Sequence, residues 1–174
     1  ALGGAATLAS YTAAPSFLHP KGGGIETLVS YGLDPTPADM AHDLLRDAQQ
    51  AVPEAHLDFL ENLPLLIETE DHIFVHAGIR PGVKLKKQDP EDLIWIREPF
   101  LSHDGDFPKL VVHGHTVQDY PVHCGNRINL DGGARDGRPL IPAVFDGTDW
   151  HLLTATGREL LWPRDKKPRK RAEA

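Results

Sequence analysis

The sequence predicts an α/β (α+β) fold, with helices first and a mixed or antiparallel sheet after them. Three observations carry this. Apolar residues recur at helical spacing as far as Leu63, and from Leu65 onward short β-rich runs bounded by Gly, Pro and Asp take over. The composition, 40% hydrophobic and 25% charged with 16 Gly and 15 Pro in 174 residues, is that of an ordinary globular chain and excludes collagenous, fibrous and disordered classes. A chain of this length suits one domain. No stretch approaches the ~20 apolar residues of a membrane span, and Ala1 to Ala14 lacks a basic leader, so no membrane partner is expected.

The first 35 residues are weakly patterned, although Gly3 to Tyr11 and Gly22 to Gly32 share a short Gly-Thr-Leu-Ser-Tyr pattern. Asp34-Pro35-Thr36-Pro37 is a breaker cluster, and Ala41, Leu44, Leu45, Ala48 and Val52 then predict a helix over 37–51. Pro53 suits the first position of a second helix whose apolar stripe is Leu57, Leu60 and Leu63. Leu65 to Glu70 and His72 to Gly78 read as adjacent strands joined at Glu70-Asp71. Asp89-Pro90-Glu91-Asp92 has the order of a helix start: cap, Pro at the first helical position, then acids where the dipole favours them. Leu110 to Thr116 is an apolar strand that breaks at Gly114. Arg127 to Gly133, Pro139 to Phe145 and Trp150 to Ala155, with a turn at Asp146-Gly147, read as a closing antiparallel set.

Charge and cysteine narrow the partners. The chain has 18 basic and 25 acidic residues, net −7, and six of the basic ones fall between Arg164 and Glu173, leaving an acidic body that argues against nucleic-acid binding. Residues 164–174 read as a disordered basic tail, with a weak RNA or anionic-lipid contact as the alternative. Cys124 is the only cysteine, so an intramolecular disulfide is impossible and a reducing, cytoplasmic address is expected; its turn-like neighbours favour an inert thiol.

Three segments share one geometry, a buried-looking strand ending in a polar residue beside Gly: FVHAG (His76), VVHGHT (His113, His115) and INLDGG (Asp131). Such ends place side chains at a sheet rim, where ligand sites form. His76 and His115, from separate strands, are candidates to converge on one metal ion, with hydrogen-bonded structural roles as the alternative. His113 points to the opposite face and is an outer-sphere candidate. His19, His42, His56, His72, His103, His123 and His151 lie in helical or loop-like polar contexts that suit surface or capping roles. Arg97 is either a bidentate oxyanion binder or a surface ion-pair partner.

Taken in order, FVHAGIRPG, DPEDLIWIREPFL, VVHGHT and NRINLDGGA resemble the C-terminal half of the bacterial phosphoprotein-phosphatase-type metallophosphoesterases, which include serine/threonine protein phosphatases and symmetrical diadenosine tetraphosphate hydrolases. The resemblance spans Gly22 to Leu153 and is tightest from Phe74 to Ala134. It implies the C-terminal part of a four-layer α/β/β/α sandwich, with residues 1–163 as the C-terminal portion of a calcineurin-like metallophosphoesterase domain. His76 and His115 match two ligands of a dinuclear centre, most often manganese, with iron and zinc as alternatives. Arg97 matches the phosphate-holding arginine, and Asp131 and Gly133 match the strand that shapes the site. The implied reaction is hydrolysis of a phosphoric ester, a phosphoprotein or a dinucleotide phosphate, by a metal-bridging water. The family's GDxHG, GDxxDRG and GNHE motifs do not occur in this sequence, and Gly132 stands where Thr is usual. The expectation is therefore an incomplete ligand set, a C-terminal portion of a phosphatase that is inactive or nearly so by itself. The alternative is a degenerate, non-catalytic binding module.

Overall fold

The computed structural model describes residues 23–35 and 41–164, and the chain divides into two compact units, Ala1–Pro64 and Leu65–Ala174. The first Gly-Thr-Leu-Ser-Tyr copy, the beginning of the 37–51 helix and the basic tail beyond Arg164 lie outside the described residues.

The first unit holds helices α1 (Gly24–Ser30), α2 (Ala41–Ala51) and α3 (Glu54–Glu61). The second Gly-Thr-Leu-Ser-Tyr copy forms α1, which the weak patterning did not reveal. Gly23 precedes it with φ 76°, a left-handed conformation open to Gly. Leu28 packs with Leu44 and Ala48, the i, i+4 pair of the expected stripe on α2. For α3 the expectation needs correcting twice. Pro53 is the cap rather than the first helical residue, and of the stripe Leu57 is half-buried while Leu60 and Leu63 are exposed, so no residue of it is fully buried.

The second unit is mixed α/β. Its first sheet contains β1 (Leu66–Glu68), β2 (His72–Val75), β3 (Leu110–His113), β4 (Val122–His123) and β5 (Arg127–Asn129), in the spatial order β1-β2-β3-β5-β4. Strands β1 and β2 are antiparallel, as the sequence suggests, whereas β2, β3 and β5 run parallel. The last point corrects the reading of Arg127 to Gly133 as part of a closing antiparallel set. That set consists of β6 (Ala143–Phe145), β7 (Trp150–Thr154) and β8 (Gly157–Leu160), a separate three-stranded sheet.

Period-2 alternation divides the core between the two faces of the first sheet. Ile73, Val75 and Val111 pack with Leu93, Ile96 and Phe100, while Val112 and Ile128 pack on the other face with Trp150 and Leu152 of β7. His72 is buried here rather than at the surface: the Trp150 indole N–H donates to its Nε2 at 3.1 Å, tying β2 to β7. A short helix, α4 (Pro90–Trp95), lies in the crossover from β2 to β3. Asp89 caps it by accepting from the Glu91 N–H at 3.0 Å, with Pro90 in the first turn. Gln88, buried, holds the preceding loop through Arg80 and Val83, and Arg80 forks onto Asp92 at 2.6 and 2.7 Å. Among the described residues no helix is long and apolar enough to cross a membrane.

Candidate functional site

Because β2, β3 and β5 are parallel neighbours, their C-terminal ends open on one edge of the sheet, where open α/β sheets hold ligands. His76 follows β2, Gly114 and His115 follow β3, and Asp131 follows β5. The ladder continues past the strands: Gly114 N donates to His76 O and Leu130 N to His113 O, both at 2.9 Å. Gly78 in the HAG segment is required sterically, since a Cβ there would lie 2.3 Å from Cδ1 of the buried Phe100 ring.

The turn at His115 is unusual. Its φ is 64°, and Thr116 N donates to Gly114 O at 2.7 Å, the i→i+2 bond of a γ-turn. A non-glycine residue in this conformation is strained by an amount on the order of 1–3 kcal/mol, and such residues cluster at functional sites. The turn brings His115 Nδ1 to 3.1 Å from His76 Nε2, with ring centroids 5.0 Å apart. At this distance the two rings hydrogen-bond to each other, and the same separation is what two nitrogens bound to one ion at about 2.1 Å would show, roughly 3.0–3.4 Å. With Asp131, Leu130 and Phe74 the two imidazoles border an open hollow of ≈ 480 Å³.

Burial lowers the pKa of His115, the positive charge of Arg97 lowers it further and His76 adds to this, against an opposing pull from Asp131. Arg97 is exposed and has no ion-pair partner among the described residues, which leaves its guanidinium available to an oxyanion. Asp131 Oδ1 accepts from Gly133 N at 2.9 Å, its carbonyl accepts from Gln118 N, and its own N–H donates to Asn129 Oδ1, so it holds the rim in shape. Gly133 has φ 79°, and a Cβ there would meet Val117 and Arg138 at 3.0 and 3.1 Å.

His113 faces away from the pair. Its Nδ1–H donates to Gly114 O at 3.1 Å, its ring stands edge-on to Phe100, and burial pushes its pKa down to about 4. It makes no hydrogen bond to His76 or His115, so it holds neither ring directly. Trp95, which the sequence marked only as a helix residue, stands edge-on to His115 with centroids 5.6 Å apart and is itself exposed. Its place beside Arg97 in WIRE was the available signal.

Two imidazoles suit one borderline divalent ion. They do not make a dinuclear centre: among the described residues no group of three or more His, Cys, Asp or Glu side chains is gathered to hold a metal. No protein-family model matches the chain, and no curated protein is significantly similar to it.

Proposed function

We propose that this chain contributes part of the active site of a metal-dependent phosphoric-ester hydrolase of the serine/threonine phosphoprotein-phosphatase type, with a dinucleotide phosphate as the alternative substrate. The observation that carries the reading is the 3.1 Å approach of His76 Nε2 to His115 Nδ1 across two parallel strand ends. His76 and His115 would hold one divalent ion, manganese by preference, and Arg97 would grip the substrate phosphate bidentately. The ion, when bound, supplies Lewis acidity and an acidified water for in-line attack on phosphorus. Asp131 and Gly133 keep the rim rigid, and Trp95 braces the His115 ring. The remaining ligands that the resemblance implies sit in the GDxHG, GDxxDRG and GNHE motifs, which this sequence does not contain.

Four ordered motifs support this reading through the resemblance, as do the lowered pKa of His115 and the lack of an ion-pair partner for Arg97 among the described residues. The absence of a third ligand among the described residues favours a second reading, a degenerate module that binds phosphate or protein without hydrolysis. Turnover of para-nitrophenyl phosphate with manganese by the complete gene product separates them. The hydrolase reading expects metal-dependent turnover that Arg97→Ala and His115→Ala each reduce by a factor of about 10² or more. No metal-dependent turnover would leave the second reading standing.

A further inference from the structure

After β8 the chain crosses to the edge of the first sheet. Leu161 N donates to Trp150 O at 2.8 Å and the Leu161 side chain is buried in the core, so the next residue of this extended segment, Trp162, faces outward. Pro163 then pairs with His123 of β4, and Arg164 N donates to His123 O at 3.0 Å. The backbone of Trp162 is thus anchored on both sides. Between β8 with this segment and β4, the edge strands of their two sheets, lies a cavity of ≈ 570 Å³ whose lining includes Tyr120, Val122, Glu159, Leu160, Trp162 and Arg164. That is the size of a small-molecule site. It shares no lining residue with the His76–His115 hollow.

The accessible groups of the lining are complementary to one kind of ligand. Tyr120 and Trp162 are 39% and 42% exposed, and neither ring contacts another aromatic ring among the described residues. Exposed ring faces in a cavity are platforms for flat bases. Glu159 is exposed, and its Oε2 accepts from the Tyr120 hydroxyl at 3.0 Å, which ties the carboxylate to the rim. This occupies one of about four acceptor positions of a carboxylate. Arg164 is exposed as well, and its guanidinium pairs with no carboxylate among the described residues, Glu159 included. Its donor fork suits a phosphate.

We propose that this cavity binds a guanine nucleotide, the base against Trp162 and Tyr120, its donor edge on Glu159 and its phosphate on Arg164. Among the common bases only guanine presents two adjacent N–H donors, on N1 and the exocyclic N2, the pair that a carboxylate accepts with both oxygens. Adenine offers a donor beside an acceptor, and uracil one donor between two acceptors. The site is independent of the hydrolase reading, and stands or falls apart from it.

The test is calorimetric titration of the full chain, free of divalent metal, with guanosine 5′-monophosphate, adenosine 5′-monophosphate and ribose 5-phosphate in turn. The guanine nucleotide is expected to bind at least about tenfold more tightly than ribose 5-phosphate, which cannot stack, and about tenfold more tightly than the adenine nucleotide, which leaves the carboxylate half-paired. Trp162→Ala is expected to weaken it about tenfold and Trp162→Phe to restore most of that. Glu159→Gln, which still accepts from Tyr120, is expected to erase the preference for guanine over adenine. His76→Ala with His115→Ala is expected to leave binding unchanged. No binding of the guanine nucleotide, equal affinity for ribose 5-phosphate or for the adenine nucleotide, or indifference to Trp162→Ala would each overturn the proposal. The ligand comparison needs no substitution, so a poorly folding variant does not blunt it.

Discussion

Gly78→Ala tests the packing that sets the HAG turn in place. The added Cβ would lie 2.3, 2.6 and 2.7 Å from Cδ1, Cε1 and Cγ of Phe100, against an optimum near 3.5–4.0 Å, so the ring must retreat by more than about 1 Å. It has little room to do so. Phe100 is fully buried, with the Phe107 and His113 rings at 5.4 and 4.9 Å and the Arg127 guanidinium 5.7 Å from its centroid. Overpacking of this kind costs about 1–3 kcal/mol, and each kcal/mol lowers Tm by about 2–4 °C for a chain of this size. Thermal unfolding followed by circular dichroism reads the loss. Phe100→Leu, which removes the clashing ring, costs stability by itself but should make Gly78→Ala cheaper by at least about 0.5 kcal/mol in the double variant. A neutral Gly78→Ala, or strict additivity in the cycle, would refute the steric argument.

Trp150→Phe removes the N–H that satisfies His72 Nε2 together with part of the buried indole; the expected loss is at least about 1–3 kcal/mol in denaturant midpoint analysis, and no loss would show that the β2–β7 tie carries no weight. Acidification should destabilise the chain through His113. Its folded pKa is about 4 against an ordinary 6.5, so below pH 6.5 the unfolded state binds the extra proton and stability falls as pH drops towards 4, by at most about 3 kcal/mol. His113→Leu should flatten that part of the stability–pH curve, and an unchanged slope would contradict the assignment.

Much of the second unit was legible because its signals are local. Alternating Ile73, Phe74, Val75 and Val111, Val112 mark strands, and Asp89-Pro90 marks α4, whatever the rest of the chain does. The partner of Arg127–Asn129 was not legible. Pairing with β3 in parallel is fixed by the crossover through residues 114–126, a long-range contact that alternation does not encode. β4 and β8 escaped notice for a related reason, being a two-residue strand and a run with Gly157, Arg158 and Glu159, each stabilised by its neighbour rather than by composition. His72 was misread because one residue's polarity was weighed without the indole that reaches it from β7. Of the candidate site, His76, His115 and Asp131 were visible as polar residues at Gly-flanked strand ends. The γ-turn that aims His115 was not, since nothing in VVHGHT announces a positive φ at its second histidine.

The central claim is that His76 and His115 form one cation site. Titration of the full chain with Zn²⁺ or Co²⁺, followed through the imidazole ring resonances, tests it most directly. One equivalent should bind, with the His76 and His115 signals moving together, the His113 signal unmoved by ligation, and affinity falling by a factor of 10 or more in His76→Ala and in His115→Ala. Binding that survives both substitutions, or rings that respond independently of each other, would contradict it.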